Sequence, residues 1–296
     1  MSSFWIMLTG ALVAGACSLV GCFLVLRKLA MIGDAISHSV LPGIVIAFLI
    51  GGSRDSLAML LGASVVGLVT VFFIQWFQQK GVSSDASIGV VFTALFSVGV
   101  VLISLYTRQI DLDLDCVLYG EIAYVPWDTL HLAGMNVGPK AVWGVGFAFL
   151  LNAAVIAAFY KQFKLCSFDP GMAAAVGVPV TLFHYVLMGL VSVTTVASFE
   201  SVGAILVVGM LVIPPATAYL LTDRLSRMIL YSLLIGGVCS VLGYVFAYAT
   251  DASIAGCMTS VAGALFALAF LFSPKHGVVW RRWKRRRMAL SQTADA

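Results

Sequence analysis

The sequence contains nine apolar segments that are each long enough to cross a lipid bilayer as one helix. A transmembrane helix needs about 20 mostly apolar residues. The segments cover residues 4–26, 29–50, 57–78, 86–105, 141–160, 181–199, 202–221, 228–249 and 254–272. Inside hydrocarbon the backbone must satisfy its own hydrogen bonds, and a barrel would show short strands of alternating polarity instead. The pattern predicts an all-α polytopic membrane protein with about eight or nine transmembrane helices.

The amino-acid composition also indicates a membrane protein. Of the 296 residues 61% are hydrophobic and only 10% are charged, whereas soluble domains carry roughly 25% charged residues. The first segment is too long for a signal peptide, and Arg27 and Lys28 follow its apolar run instead of preceding it. We therefore predict a retained first helix, a single transmembrane domain over residues 1–273 and a basic tail over residues 274–296.

The positions of Lys and Arg predict how the helices are oriented. If all nine segments span and the N-terminus lies outside, every Lys and Arg except Arg54, Arg108 and Lys140 falls on the cytoplasmic side, as the positive-inside rule requires. The C-terminal tail is then cytoplasmic. Its segment 280–287, WRRWKRRR, combines tryptophans with a basic cluster, which is typical of contact with lipid headgroups. We expect membrane lipid, and no nucleic acid, as its partner.

The opposite, outer side is acidic. The loop 106–140 contains Asp111, Asp113, Asp115, Glu121 and Asp128. Such a surface would concentrate cations or meet a basic partner. For any single one of these residues, a solvated loop is an equally good interpretation.

Two ionisable residues, Asp34 and His38, lie inside the second apolar segment. Residues at i and i+4 project from one face of a helix, one turn apart, and ionisable groups at membrane depth are costly enough to indicate function. Pro42 and Gly43 follow and weaken the helix, as in the interrupted helices that form transporter substrate sites. An oxygen and a nitrogen donor on one face indicate a site for a divalent transition metal.

The Asp34–His38 pair also has a plainer interpretation. A histidine inside a membrane often makes a hydrogen bond between helices, and an aspartate near a helix start often caps it. One Asp and one His are moreover too few ligands for a closed metal site. A second chain, another helix or water would have to supply the others.

The segment 161–179, KQFKLCSFDPGMAAAVGVP, predicts a short helix on the cytoplasmic side. Ser167 or Asp169 can cap it, Pro170 suits its first turn, and Gly177 ends it. We expect the body of this helix at residues 172–176. A short helix of this kind can dock on a partner or serve only as an amphipathic connector, and its sequence alone allows both.

Glu200 lies between the sixth and seventh segments. It is a candidate outer gate residue or an additional metal ligand. The plainer interpretation places it in the first turn of the following helix, where a carboxylate is favourable.

Two long stretches resemble a known family. Residues 19–51, LVGCFLVLRKLAMIGDAISHSVLPGIVIAFLIG, resemble the N-terminal signature of the permease subunits of bacterial ABC importers for manganese, zinc and iron. Residues 166–225 begin CSFDPGMAAAVGVP and include MLVIPPATAYLLTDRL, and they resemble the second signature of that family. The resemblance covers nearly the whole chain except the tail after Ser273.

This resemblance implies a type II ABC importer permease fold and a role for each signature. The family's metal contact in the translocation path falls on Asp34 and His38. Its coupling helix, which fits into a cleft of the ATPase, falls on Asp169, Pro170, Gly171, Met172, Ala173, Ala174, Ala175, Val176, Gly177 and Val178. The chain itself would be no enzyme, because a separate subunit hydrolyses the ATP.

The resemblance also implies partners and a location in the bacterial cytoplasmic (inner) membrane. Two permease chains, as a homodimer or heterodimer, would bring two Asp–His pairs together. Cytoplasmic ATP-binding subunits would supply energy, and an extracytoplasmic metal-binding protein would deliver Mn²⁺, Zn²⁺ or Fe²⁺. No cofactor would be bound permanently. The sequence contains no GxxxxGK[ST] phosphate loop, which agrees with a separate ATPase.

Two other classes of protein compete with this interpretation. A proton-coupled secondary transporter of metal cations could use Asp34 and His38 as a relay and would need no ATPase. A membrane-embedded metalloenzyme would need a ligand motif such as HExxH, which the sequence lacks. The choice among manganese, zinc and iron stays open, because all three accept mixed nitrogen and oxygen ligands.

Overall fold

The computed structural model describes residues 2–51, 56–106, 122–132, 135–273 and 277. Over these residues the chain forms twelve helices and one two-stranded hairpin. In chain order they are α1 Ser2–Leu26, α2 Ala30–Ser39, α3 Leu41–Gly51, α4 Ser56–Gln79, α5 Ser84–Tyr106, β1 Thr129–Leu132, β2 Met135–Pro139, α6 Lys140–Ala158, α7 Tyr160–Phe168, α8 Pro170–Ala175, α9 Val180–Val202, α10 Ala204–Leu221, α11 Leu225–Thr250 and α12 Ile254–Phe272. The basic tail, apart from Gly277, lies outside this part of the chain.

The described helices include nine candidate membrane spans by length and composition, as the sequence predicts. The helices α2 and α3 together form one of them, and α7 and α8 are too short to span. The predicted fifth segment, 141–160, ends slightly early. Its helix α6 stops at Ala158, and a separate short helix, α7, begins at Tyr160.

The first helix, α1, lies at the centre of the bundle. It contacts α6, α9, α10 and α11, and its residues from Val13 to Leu24 are buried. Small residues allow these close approaches. At Gly15, for example, an added Cβ would lie 3.1 Å from the ring of Phe149 in α6. The first helix, which is rich in small residues, therefore forms the core of the fold.

The predicted break in the second span is present. Helix α2 ends at Ser39 and α3 begins at Leu41. Pro42 has no N–H to donate to the preceding turn, and it packs against α5 at Gly99, where an added Cβ would lie 2.9 Å from Pro42 Cδ. The break therefore coincides with a close approach between α3 and α5.

The seventh segment contains two adjacent prolines, Pro214 and Pro215. Helix α10 continues through both prolines as one element, Ala204–Leu221. Pro215 cannot donate to the carbonyl of Leu211, and α1 packs onto that carbonyl: an added Cβ at Gly21 would collide with Leu211 O. Tertiary packing against a glycine thus holds the helix together where the local rule predicts an interruption.

A short antiparallel hairpin follows α5, in a stretch where the sequence predicts only a loop. Strands β1 and β2 pair with Thr129 opposite Pro139 and Leu132 opposite Met135. The ion pair between Lys140 Nζ and Asp128 Oδ1, 2.8 Å long, closes the base of the hairpin. The acidic residues at 111, 113, 115 and 121 lie outside the described residues.

Candidate functional site

One face of α2 is packed into the bundle. Gly33 lies against the Leu211 side chain of α10, and the buried Ser39 Oγ accepts a hydrogen bond of 2.8 Å from Thr70 Oγ1 of α4. Ile36 is fully buried. These contacts fix the rotation of α2 about its axis and determine which residues occupy its other face.

The opposite face of α2 is open and carries Asp34 and His38. Their side chains are 44% and 28% exposed, and Oδ1 of Asp34 lies 3.6 Å from Nε2 of His38. This distance is too long for a good hydrogen bond. Because the two atoms are not tightly bound to each other, both can turn to a common cation on the open side.

Two aromatic rings of α5 border His38. The ring centroids of Phe92 and Phe96 lie 5.9 and 6.1 Å from that of His38, and the Phe96 ring is nearly perpendicular to it. Such contacts restrict the imidazole and lower the polarity on one side of it. Helix α5 therefore forms a wall beside the pair.

The pair supplies two ligand groups and no more. Among the described residues no cluster of three or more His, Cys, Asp and Glu side chains could hold a metal ion. An imidazole nitrogen and a carboxylate oxygen suit Mn²⁺, Fe²⁺ or Zn²⁺. The structure therefore places the predicted pair together on an open face, where ligands from another molecule can approach.

The predicted short helix is present as α8, and both of its ends follow from its sequence. Asp169, not Ser167, is the N-cap: its Oδ1 accepts a hydrogen bond of 2.9 Å from the Met172 N–H, and Pro170 is in the first turn. At the other end Gly177 has φ +85°. Val178 and Gly177 donate to the carbonyls of Ala173 and Ala174 at 2.9 and 3.0 Å, which is a Schellman motif. The helical body ends at Ala175, one residue earlier than expected.

The preceding helix, α7, anchors α8 to the membrane bundle. Phe163 of α7 is fully buried, and its ring centroid lies 5.6 Å from that of Phe23 in α1 and 5.3 Å from that of Phe183 in α9. Next to α8, Arg27 Nε donates a hydrogen bond of 3.0 Å to Ser167 Oγ. A displacement of α8 would therefore be transmitted to α1 and α9.

Two exposed apolar residues lie at α8, Met172 within the helix and Val176 directly after its last residue. Met172 and Val176 are 56% and 66% exposed, whereas Ala173 is buried. Residues four apart lie on one face of a helix. This Met172–Val176 face is available to a partner molecule.

The expected position of Glu200 is wrong in one respect. The residue lies in the last turn of α9, Val180–Val202, and not in the first turn of the next helix. The chain leaves α9 only at Gly203, whose φ of +79° suits a glycine. The Glu200 side chain lies outside what the structure describes.

The residues that support the site carry no recognisable signal in the sequence. Phe92 and Phe96 stand at i and i+4 in an apolar helix, and that spacing is equally typical of lipid-facing positions. The hydrogen bond from Arg27 to Ser167 joins residues 140 positions apart. Neither contact has a local signal that could have revealed it.

The bundle, the interrupted second span and the short capped helix α8 define a polytopic helical permease. The chain belongs to the ABC 3 transport family, whose sequence model matches residues 2–273. It is therefore a multi-pass membrane subunit of an ABC transporter.

Named relatives resemble the chain over almost its full length. The manganese transport system membrane protein MntD of Bacillus subtilis is 54% identical over 278 residues, which cover 94% of both chains. The zinc transport system membrane protein TroD of Treponema pallidum is 41% identical over 277 residues, covering 93% of this chain and 75% of TroD. In the solved structure of PsaBC from Streptococcus pneumoniae, a chain with 31% sequence identity superimposes with a TM-score of 0.77, covering 92% of each chain.

Proposed function

We propose that this chain is the permease subunit of an ATP-driven importer of divalent transition-metal ions, Mn²⁺, Zn²⁺ or Fe²⁺, in the bacterial inner membrane. The observation that carries the proposal is the Asp34–His38 pair on the open face of α2, in a chain whose relatives are named for manganese and zinc transport. The metal is the cargo and passes this pair on its way through the membrane.

Each residue of the pair has a definite role in this proposal. The carboxylate of Asp34 and the neutral imidazole of His38 replace part of the hydration shell of the ion. The 3.6 Å separation of their ligand atoms and their partial exposure let an ion enter between them without a large rearrangement. The contact is sparse, since a transported ion has to leave again.

A second permease chain, either another copy or a related subunit, would bring a second Asp–His pair to the same ion. Support comes from α5, which borders the open face and exposes small hydroxyl residues. Thr93, Ser97 and Ser104 are exposed, and each donates its hydroxyl to a carbonyl of its own helix at 2.7, 2.8 and 2.9 Å. Small residues with satisfied hydroxyls allow a partner helix to approach closely.

The energy comes from a separate ATP-binding subunit that docks on α8 on the cytoplasmic side. The Met172–Val176 face enters a groove of that subunit, and nucleotide-driven closure displaces α8. The cap at Asp169 and the Schellman motif keep α8 intact, and the packing of Phe163 transmits the displacement to α1 and α9. An extracytoplasmic binding protein delivers the metal from the other side.

Transport by the reconstituted complex tests this proposal. The permease, its ATP-binding subunit and its binding protein are placed in liposomes, and the uptake of Mn²⁺, Zn²⁺ and Fe²⁺ is measured with ATP and with a non-hydrolysable analogue. We expect uptake of at least one of these metals only with ATP. Uptake that needs no ATP-binding subunit but follows a proton gradient would favour the secondary transporter and contradict the proposal.

A further inference from the structure

A cavity of about 380 Å³ lies beside the base of α8. It is formed where α1 ends, where α7 meets α8 and where α9 begins. Its polar lining comes from Arg27, Lys28, Ser167 and His184, and the apolar remainder includes Pro170 and Val180. The cavity is large enough for a phosphate group and part of whatever carries it.

The lining of this cavity is cationic and rich in unused hydrogen-bonding groups. Arg27 Nε donates to Ser167 Oγ, but Arg27 Nη2 is buried without a partner in the described part of the chain, and so is His184 Nε2. Burial lowers the pKa of the Arg27 guanidinium below its ordinary value, yet an arginine remains charged at neutral pH. No Asp or Glu is among the described residues that line the cavity.

A buried guanidinium nitrogen without an acceptor is costly, and an oxyanion would relieve that cost. We propose that this cavity, the Arg27–His184 cavity, binds a phosphate-type oxyanion, supplied by the headgroup of an anionic lipid or by free phosphate. Arg27 Nη2, His184 Nε2 and the Lys28 ammonium donate to its oxygens, and phosphate is a preferred partner of an arginine fork.

The position of the cavity agrees with a phosphate ligand. Arg27 immediately follows α1 and Val180 begins α9, and helix ends at the cytoplasmic surface lie at the level of lipid headgroups, where basic pockets between helices bind them. The exposed residues Met172 and Val176, which we assign to the ATP-binding subunit, are not in the cavity lining. The proposed anion site is therefore separate from the surface that we assign to the ATP-binding subunit.

A bound anion would connect three parts of the fold. It would join the end of α1, the junction of α7 and α8, and the start of α9, which are the elements that hold α8 in position. Occupancy would stabilise α8 and increase ATP-coupled activity, whichever metal is transported. The inference is thus independent of the metal site.

Lipid binding to the purified full-length chain in a neutral detergent tests the inference. Native mass spectrometry measures the binding of dioleoyl-phosphatidylglycerol and dioleoyl-phosphatidylcholine to the unsubstituted chain and to Arg27→Gln. Lys164→Gln is the matched control, because Lys164 is an exposed cation on α7 that does not line the cavity. We expect Arg27→Gln to weaken phosphatidylglycerol binding about tenfold, as the loss of charged hydrogen bonds implies, and Lys164→Gln to leave it unchanged.

A second measurement distinguishes the sources of the anion. If millimolar inorganic phosphate raises the unfolding temperature in an Arg27-dependent way and displaces phosphatidylglycerol, the free anion is the physiological ligand; if it does neither, the lipid headgroup is. If Arg27→Gln fails to fold, Lys28→Gln, a change on the exposed rim of the cavity, repeats the test. We expect Lys28→Gln to lower the affinity for the anion severalfold. Equal phosphatidylglycerol and phosphate binding by all variants overturns the inference. The inference is also overturned if Arg27→Gln loses association with the ATP-binding subunit but still binds phosphatidylglycerol and phosphate normally. The cavity would then be assigned to a carboxylate of that protein.

Discussion

Nε2 of His38 and Oδ1 of Asp34 lie 3.6 Å apart on the open face of α2. The buried face of the same helix, with Gly33 against Leu211 and Ser39 bonded to Thr70, holds the two groups in this position. The pair is therefore fixed in direction but not closed by a hydrogen bond between its members. This geometry supports the proposed transient cation site.

The aromatic wall beside His38 yields the first prediction. Replacing both Phe92 and Phe96 by Leu removes the ring contacts at 5.9 and 6.1 Å and lets the imidazole rotate. We expect metal uptake by the reconstituted complex to fall severalfold while the amount of folded protein stays the same. Phe72→Leu, an exposed phenylalanine on α4, is the control, and an equal effect of that change would show that His38 needs no such wall.

The exposed face of α8 yields the second prediction. Met172→Asp places a charge in the proposed contact with the ATP-binding subunit, and burying an unpaired charge is costly. We expect co-purification of that subunit to be lost. Val82→Asp, which introduces the same charge at another exposed apolar position next to Lys80, should leave the complex intact. Normal assembly of the Met172 variant would assign the docking surface elsewhere.

The end of α8 yields a third prediction, with a matched glycine pair. Gly177 has φ +85°, and a side chain there costs about 1 kcal/mol or more, so Gly177→Ala should weaken binding of the ATP-binding subunit by roughly fivefold. Gly171→Ala puts a Cβ 3.4 Å from Asp169 Oδ1, an ordinary contact, and should have little effect. Titration of the labelled ATP-binding subunit against each variant measures both affinities. Equal affinities would mean that the left-handed turn does not hold the helix.

The contact of α1 with α10 yields a fourth prediction. A Cβ at Gly21 would collide with the Leu211 carbonyl, and backbone cannot move as a side chain can, so Gly21→Ala should destabilise the fold by about 1–3 kcal/mol. At Gly263 an added Cβ meets nothing within 4 Å. Thermal unfolding in detergent should therefore show a lower midpoint for Gly21→Ala and an unchanged one for Gly263→Ala. Similar midpoints would contradict the close packing.

Features with local causes could be predicted from the sequence. The candidate spans depend on length and polarity alone, and the described part of the chain contains nine helices of the predicted length and composition. The ends of α8 depend on Asp169, Pro170 and Gly177, which act within a few residues of their own positions. The break between α2 and α3 depends on Pro42, which removes one hydrogen bond to the preceding turn.

Features with distant causes could not be predicted. Pro214 and Pro215 obey the same local rule as Pro42, yet α10 continues through them where Gly21 of α1 packs onto the Leu211 carbonyl. The wall that Phe92 and Phe96 form depends on how α5 packs against α2. The sequence predicted that Asp34 and His38 share a face, but only the packing of α2 determines that this face is the open one.

The central claim is that Asp34 and His38 bind the transported metal ion. The most direct measurement is ATP-dependent metal uptake by liposomes that contain the complete transporter with Asp34→Ala or His38→Ala, compared with Met31→Ala. Met31 lies on the same open face one turn earlier and is 64% exposed. The account predicts that each of the first two changes lowers uptake by at least about tenfold, since even indirect perturbation of metal ligands costs that much, while the ATP-binding subunit still assembles and Met31→Ala transports normally. Uptake at the unsubstituted rate by both the Asp34 and the His38 variants would contradict it.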